Sequence, residues 1–346
     1  MPTDYFRLND SFKTIMQKSP DNRDCNAVKP LIVKRFIMLL FPVILGFNFS
    51  TYSPGAWSQM IVHPAEQKRY SIINKKVTES SGLACSTRDK QLLWTHNDSG
   101  HMPIIYAMND KGHDLATFHL EDIESRDWED MDAFEYQGKH YLLIADTGDN
   151  LKMQLAYRIS IIQEPKLGKK NRSAISPAWS IVFQYEDLEP SAGKEPSAGK
   201  ESSAGKEPSA GKESYDVESV AVDVLREKIV LLTKRTSHTL MFELPLRPLD
   251  EEQIQIAVKT GEFKEIDKPS ALDFSTDGKL MSINTYSRIH RFHRKELKSD
   301  WNYEYSMSYK SLFQPEGMCL STDKKHYYVS SEKKPYLLKI KAKQNN

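Results

Sequence analysis

Between residues 69 and 341 the apolar positions fall into short runs, separated by turn residues such as Gln137-Gly138 and Asp277-Gly278. Runs of this length, bounded by turn chemistry, predict β-strands. The runs come in groups, and each group opens on one signature: an acid or serine, a small or polar residue, then a large apolar residue. It occurs at Ser81-Gly82-Leu83, Glu129-Asp130-Met131, Glu218-Ser219-Val220, Ser270-Ala271-Leu272 and Glu316-Gly317-Met318. The spacings are 48, 89, 52 and 46 residues.

Four runs follow each of the first four signatures. After Ser81 they are LACS, LLWTHND, IIYAMND and LATFHLE; after Glu218 they are VAVDV, KIVLLTK, LMFELPL and IQIAVKT. After Glu316 only MCLS, HYYVSS and YLLKIK remain, and RYSIINK at 69–75 can supply the missing fourth. Four-stranded units closed by a strand from the opposite terminus are what a ring of blades requires, because closure pairs edges that would otherwise template aggregation. A repeat near fifty residues therefore predicts an all-β fold, a β-propeller of five four-stranded blades, or six if the span 160–215 holds another. A sandwich does not explain the period.

The long interval contains a repeat of a different kind. Residues 189–212 read EPSAGK, EPSAGK, ESSAGK, EPSAGK, and taking these 24 residues out leaves an interval of 65. With no bulky apolar side chain, the segment buries too little surface to offset its ordering entropy, so disorder is expected.

Ahead of the strands, Lys29, Lys34 and Arg35 precede an uncharged apolar run, Phe36 to Phe47. Its 12 residues are short for a membrane span, which needs about 20. A basic flank, a short apolar core and the Ala56-Trp57-Ser58 triplet before Gln59 have the form of a cleavable secretory signal. The expected organisation is an N-terminal extension and signal segment over 1–58 and the propeller over 59–346. The protein is then exported, periplasmic or extracellular, or held at the membrane by residues 36–47 if the segment stays on. In that case the segment is its only membrane contact.

Composition narrows the partners. Lys plus Arg number 48 against 47 Asp plus Glu, so the chain lacks the basic excess of a general nucleic-acid binder. The 16 Tyr and 14 Phe suit strands. Three cysteines, Cys25, Cys85 and Cys319, show no CxxC or Cys/His spacing, which argues against a zinc site or a disulfide framework. Export would nonetheless place Cys85 and Cys319 where disulfides persist.

The strings THNDSG (95–100), DWEDM (127–131), IADTGDN (144–150), DVESVAVD (216–223) and QPEGM (314–318) together resemble an exported bacterial β-propeller family of poorly defined function. More distantly, the recurring Glu-small-apolar start of the inner strands resembles calcium-dependent propellers of the phytase, lactonase and gluconolactonase type. That second resemblance implies a Ca²⁺ at the mouth of the central channel. Two of the five ring positions here, Ser81 and Ser270, are serines rather than acids.

In a blade, the start of the innermost strand and the end of the second crowd one rim. This places Ser81, Glu129, Glu218, Ser270 and Glu316 around the channel, with His96, Asn97, Asp98, Asp146, Asp149, Asn150, Lys234, Arg235, Asn284, Tyr286 and Glu332 outside them. Three glutamates on a narrow ring repel one another unless a cation, protonation or basic neighbours intervene. Oxygen ligands suit Ca²⁺ or Mg²⁺, so Glu129, Glu218, Glu316, Asp146 and Asp149 are the candidate metal ligands; alternatively these acids cap backbone amides between blades. His96 and Asp98 are the candidate acid–base groups. Lys234, Arg235 and Tyr286 are the candidate contacts to an anionic substrate. Trp128 is expected to pack between blades, and Arg291, His293 and Lys295 to form the wet face of a strand.

Asp146-Thr147-Gly148 has the form of half an aspartic-protease motif, but no second Asp-Thr/Ser-Gly stands in an apolar context to share the proton. No nucleophile elbow, phosphate loop or dinucleotide fingerprint is present. Two functions follow. One is an envelope binding or scaffold propeller for a small-molecule or envelope ligand, with a divalent cation at the channel mouth. The other is a metal-dependent hydrolase of a phosphoester or lactone.

Overall fold

The computed structural model describes residues 60–343, apart from 152, 169–173, 187–213, 249 and 311. The expected signal segment and the hexapeptide repeat lie outside the described residues. Among those described, the only helical element is a single 3₁₀ turn, Val224–Arg226. No helix there is long and apolar enough to cross a membrane.

Two strands precede the repeats, β1 (Ile61–Val62) and β2 (Gln67–Ser71). The first antiparallel set is β3 (Ser80–Cys85), β4 (Leu92–Asn97), β5 (Ile104–Asn109) and β6 (Asp114–His119). The second is β7 (Trp128–Tyr136), β8 (Lys139–Asp146), β9 (Tyr157–Gln163) and β10 (Trp179–Tyr185). The third is β11 (Val217–Asp223), β12 (Lys228–Thr233), β13 (Thr239–Pro245) and β14 (Gln255–Phe263). The fourth is β15 (Ala271–Phe274), β16 (Leu280–Asn284), β17 (Arg288–His293) and β18 (Asn302–Ser308). The last is β19 (Pro315–Leu320), β20 (His326–Ser331) and β21 (Tyr336–Lys341), completed by β2.

The innermost strands form a closed ring: β3 lies beside β7, then β11, β15 and β19, which returns to β3. This is a β-propeller. The closing strand starts two residues earlier than the 69–75 run suggests and pairs Gln67 with Ile340 and Ser71 with Tyr336. Two outer edges are also covered. β10 pairs in parallel with β14, merging the second and third sets, and β1 pairs in parallel with β18. Both pairings remove exposed ladder groups.

Apolar side chains gather in five clusters, one between each pair of neighbouring sets. Trp94, Phe118, Trp128 and Met131 fill the first interface, and Phe183, Val220 and Phe242 the second. This explains the strand patterns. β11, covered on both faces, is buried at every residue, whereas outer β10 alternates buried and half-buried. Trp128 packs as expected, edge-on to the His96 ring at 5.2 Å.

Two expectations need correction. Cys85 and Cys319 form a disulfide with Cα atoms 5.6 Å apart, although 234 residues separate them. It joins β3 to β19 across the seam of the ring, where spacing along the chain carries no signal. Arg291 is buried rather than wet: its guanidinium pairs with Glu304 at 2.8 Å and donates to the Tyr305 hydroxyl at 3.1 Å. A strand outside the innermost one can still have both faces covered, so alternation of charge on it does not mark solvent.

Candidate functional site: the channel mouth

Four of the five signatures coincide with a break in strand register. The pairing shifts between Ser80 and Leu83, between Trp128 and Asp130, between Val217 and Ser219, and between Pro315 and Met318. Such bulges re-aim a side chain, and here the residues at the breaks include Ser81, Glu129, Glu218 and Glu316. In the fourth set the β15–β16 pairing is regular, and Ser270 precedes the strand.

The two serines tie neighbouring sets together. Ser81 Oγ donates to the Glu129 carbonyl at 2.7 Å, and Ser270 Oγ to the Pro315 carbonyl at 2.8 Å. Asn284 supports the second by donating to Ser270 Oγ at 3.0 Å.

Two of the glutamates enclose an internal cation. Lys234 is buried, pairs with Glu218, and lies 3.4 Å from Glu316. Its ammonium also sits 5.1 Å from the centre of the Tyr286 ring, whose hydroxyl donates to Glu316 at 3.3 Å. Burial pulls the Lys234 pKa down, but Glu316 and Tyr286 outweigh it, and the group is held above its ordinary value. Arg235 pairs with Asp216 and lies 3.2 Å from Glu218. Glu332 stands behind, its pKa raised by burial and then by Asp98.

Glu129 is different. It is only 7% exposed, and its carboxylate has no hydrogen-bond or ion-pair partner among the described residues. Burial, then the charges of Asp98 and Asp127, push its pKa well above the usual carboxylate range. Ligand atoms of Asp98, Asp127 and Glu129 lie within 4.8 Å of one another, as do those of Glu129, Asp216 and Glu218. The second group is already answered by Lys234 and Arg235; the first has no bonded cation among the described residues. Asp127 is pushed up to about 6, by burial first and then by Asp98 and Asp146. Gly148 forms the floor of this group. Its N–H donates to the Asp127 carbonyl at 3.2 Å, and a Cβ there would collide with Glu129 Oε1 and Asp127 Oδ2.

The remaining candidates are placed as follows. Asp146 accepts from Arg126 Nε at 3.0 Å and from the Asp127 N–H at 2.8 Å. Asp149 caps its own loop, accepting from the N–H groups of Met153 at 2.7 Å and Gln154 at 3.1 Å, from the Tyr157 hydroxyl at 2.9 Å and from Ser214. Burial acts against it, yet these bonds, led by Ser214, hold its pKa below the ordinary value. Neither residue belongs to the two carboxylate groups. His96 is fully buried, with Nδ1 donating to the Asn97 carbonyl at 3.0 Å, and burial lowers its pKa. Asp98 is half-exposed at the outer edge of the first group.

Asp127 and Asp216 escaped the sequence reading. Both stand two residues before a signature glutamate, so Asp-x-Glu, present twice, was the available signal. Also missed were Asp130, Asp132 and Asp273, which line the channel below the mouth and accept inner-strand amides. A cavity of about 400 Å³ opens beyond them, lined by Asp132, Phe134, Val222, Phe274, Ser275 and Thr322. This cavity is thus at the opposite end from the carboxylate group at the mouth.

Fold and site together define a β-propeller with a carboxylate-rich channel mouth. No family model and no curated protein matches the sequence. Solved structures of similar fold include glutaminyl cyclase of Myxococcus xanthus, 8% identical, with a TM-score of 0.42 over 82% of this chain and 96% of that one. The Swd1 β-propeller domain of Myceliophteria thermophila is 7% identical, with a TM-score of 0.35 over 76% and 84%. A provisional 6-phosphogluconolactonase of Bacteroides uniformis is 13% identical at a TM-score of 0.34; the match covers 72% of this chain and 63% of that one. At these values none bears on what this chain does.

Proposed function

We propose that the protein is an exported cell-envelope β-propeller that binds a divalent cation, Ca²⁺ by ligand type, at its channel mouth and uses that site to hold a small-molecule or envelope ligand. The observation that carries this is Glu129, a buried carboxylate with no donor among the described residues, beside Asp98 and Asp127. A buried charge without a partner is strongly unfavourable, and an oxygen-rich trio on a loose rim suits Ca²⁺. In this reading Glu218 and Glu316 are not ligands; Lys234 stands where a cation would otherwise bridge them. Arg235 and the exposed edge of Tyr286 flank the site for an anionic ligand. Export rests on the basic-flanked apolar run and gains support from the Cys85–Cys319 disulfide, a bond that persists in oxidising compartments.

The test is thermal melting with added Ca²⁺. Stability should rise by about 2.7 kcal/mol at about a hundred times the dissociation constant, and chelator should reverse it. Gly148→Ala, which crowds the trio without touching its charges, should remove most of the gain. A melt that ignores Ca²⁺ in the parent protein sinks the reading.

A hydrolase is the second reading, and the placement of Asp127 favours it, because a carboxylate beside a cation site can take a proton from water held there. The cation would polarise a phosphoryl or lactone carbonyl oxygen while Asp127 takes a proton from the attacking water. Phosphoester and lactone turnover lost in Asp127→Asn, with Ca²⁺ binding measured in parallel, separates the two.

A further inference from the structure

Away from the mouth, the seam between the last and first sets carries a cationic depression. We infer that it binds a phosphate-class oxyanion. Its volume is about 240 Å³, and its walls are Glu66, Lys68, Tyr70, Lys111, His326, Lys339 and Lys341. Strand register builds it. Lys68 and Tyr328 both pair with Lys339, which sets those three in one row across β2, β21 and β20, and His326 pairs with Lys341 in the next row. Lys111 arrives from the turn between β5 and β6.

The charges do not balance. Lys68 is paired with Glu66 at 2.7 Å and Lys339 with Asp110 at 2.6 Å, which leaves Lys111 and Lys341 with no carboxylate in ion-pair range among the described residues. Lys339 is fixed from a second side, its ammonium 5.4 Å from the centre of the Tyr328 ring. The depression thus holds two anchored lysines, two unpaired ones and an imidazole. A compact oxyanion accepts from several ammonium groups at once, which a single carboxylate partner cannot do. Around His326 the charged neighbours are Lys339, Lys341, Asp323, Glu66 and Asp110; burial and Lys339 lower its pKa. An anion seated here would raise it, so His326 is a built-in reporter.

The experiment uses the intact mature protein, titrated with inorganic phosphate at constant ionic strength while the imidazole resonances are followed by NMR. His326 should show a saturable shift and a raised pKa, and Lys111→Gln with Lys341→Gln should weaken binding by about tenfold or more. Both lysines are exposed, so the melting temperature of the double variant should match the parent. Lys341→Gln alone should give a smaller loss. Sedimentation with phosphatidylglycerol vesicles, lost in the double variant, would assign the anion to a lipid headgroup; saturable phosphate binding without sedimentation would assign it to a soluble ligand. A shift reproduced by chloride, or unchanged in the double variant, overturns the inference.

Discussion

Glu129 and Asp130 are consecutive in one strand, both are buried, and burial raises the pKa of both. Their surroundings are opposite. Asp130 accepts the N–H groups of Val220 and Met131 at 2.9 Å and of Leu272 at 3.3 Å, so one carboxylate ties three inner strands of the ring. The Glu129 carboxylate accepts nothing from the described residues. The bulge at this point turns one acid toward the mouth and leaves its neighbour in the channel. A buried carboxylate satisfied by amides is part of the scaffold, whereas one without donors is waiting for a cation or a proton.

The sharpest way to break this contrast is Asp130→Ala. It strands three buried amides, each worth about 1–3 kcal/mol when left unsatisfied, and should cost about 4 kcal/mol in denaturant unfolding. A loss below about 1 kcal/mol would mean that Asp130 is not scaffold. Next is the clasp at the seam. Replacing both Cys85 and Cys319 by Ser should destabilise by about 3 kcal/mol, because the bond closes a long loop and spares the ring from relying on β2 pairing alone. An unchanged unfolding midpoint in reductant would reject the clasp.

Glu129→Gln carries the opposite sign. Replacing a carboxyl whose ionisation burial opposes should stabilise the metal-free protein near neutral pH by about 1–2 kcal/mol while abolishing the Ca²⁺ response. Destabilisation without metal would place Glu129 with Asp130 after all. The smallest effect concerns Asp132, whose pKa is raised to about 7, by burial first. A raised carboxyl contributes stability that is complete below its unfolded value, near 4, and is lost as pH climbs through 7. The melting temperature should fall across that window by about 2–4 °C more than in Asp132→Asn. Parallel pH profiles would show that Asp132 does not titrate there.

Much of the architecture was legible along the chain. A strand is a local pattern, and a repeat of strands near fifty residues leaves few ways to bury every face, so ring, closing strand and inner-strand acids could all be read from residue spacing. The signature positions were legible for the same reason, because each bulge sits at a fixed place in its repeat.

What stood outside the sequence was every decision made between repeats. Asp146 and Asp149 have the residue types of metal ligands, but Arg126 and a loop of amides had already engaged them. Lys234 sits beside Glu218 and Glu316 from two different sets, and Cys85 meets Cys319 only because the ring brings first and last strands together. The sequence by itself determined strands, period and the acids at each inner-strand start, since these depend on neighbours a few residues away. Which acid is paired, which is bridged by lysine and which is left unanswered was decided by tertiary structure alone, because charge acts through space and burial at the channel exists only once the ring is closed.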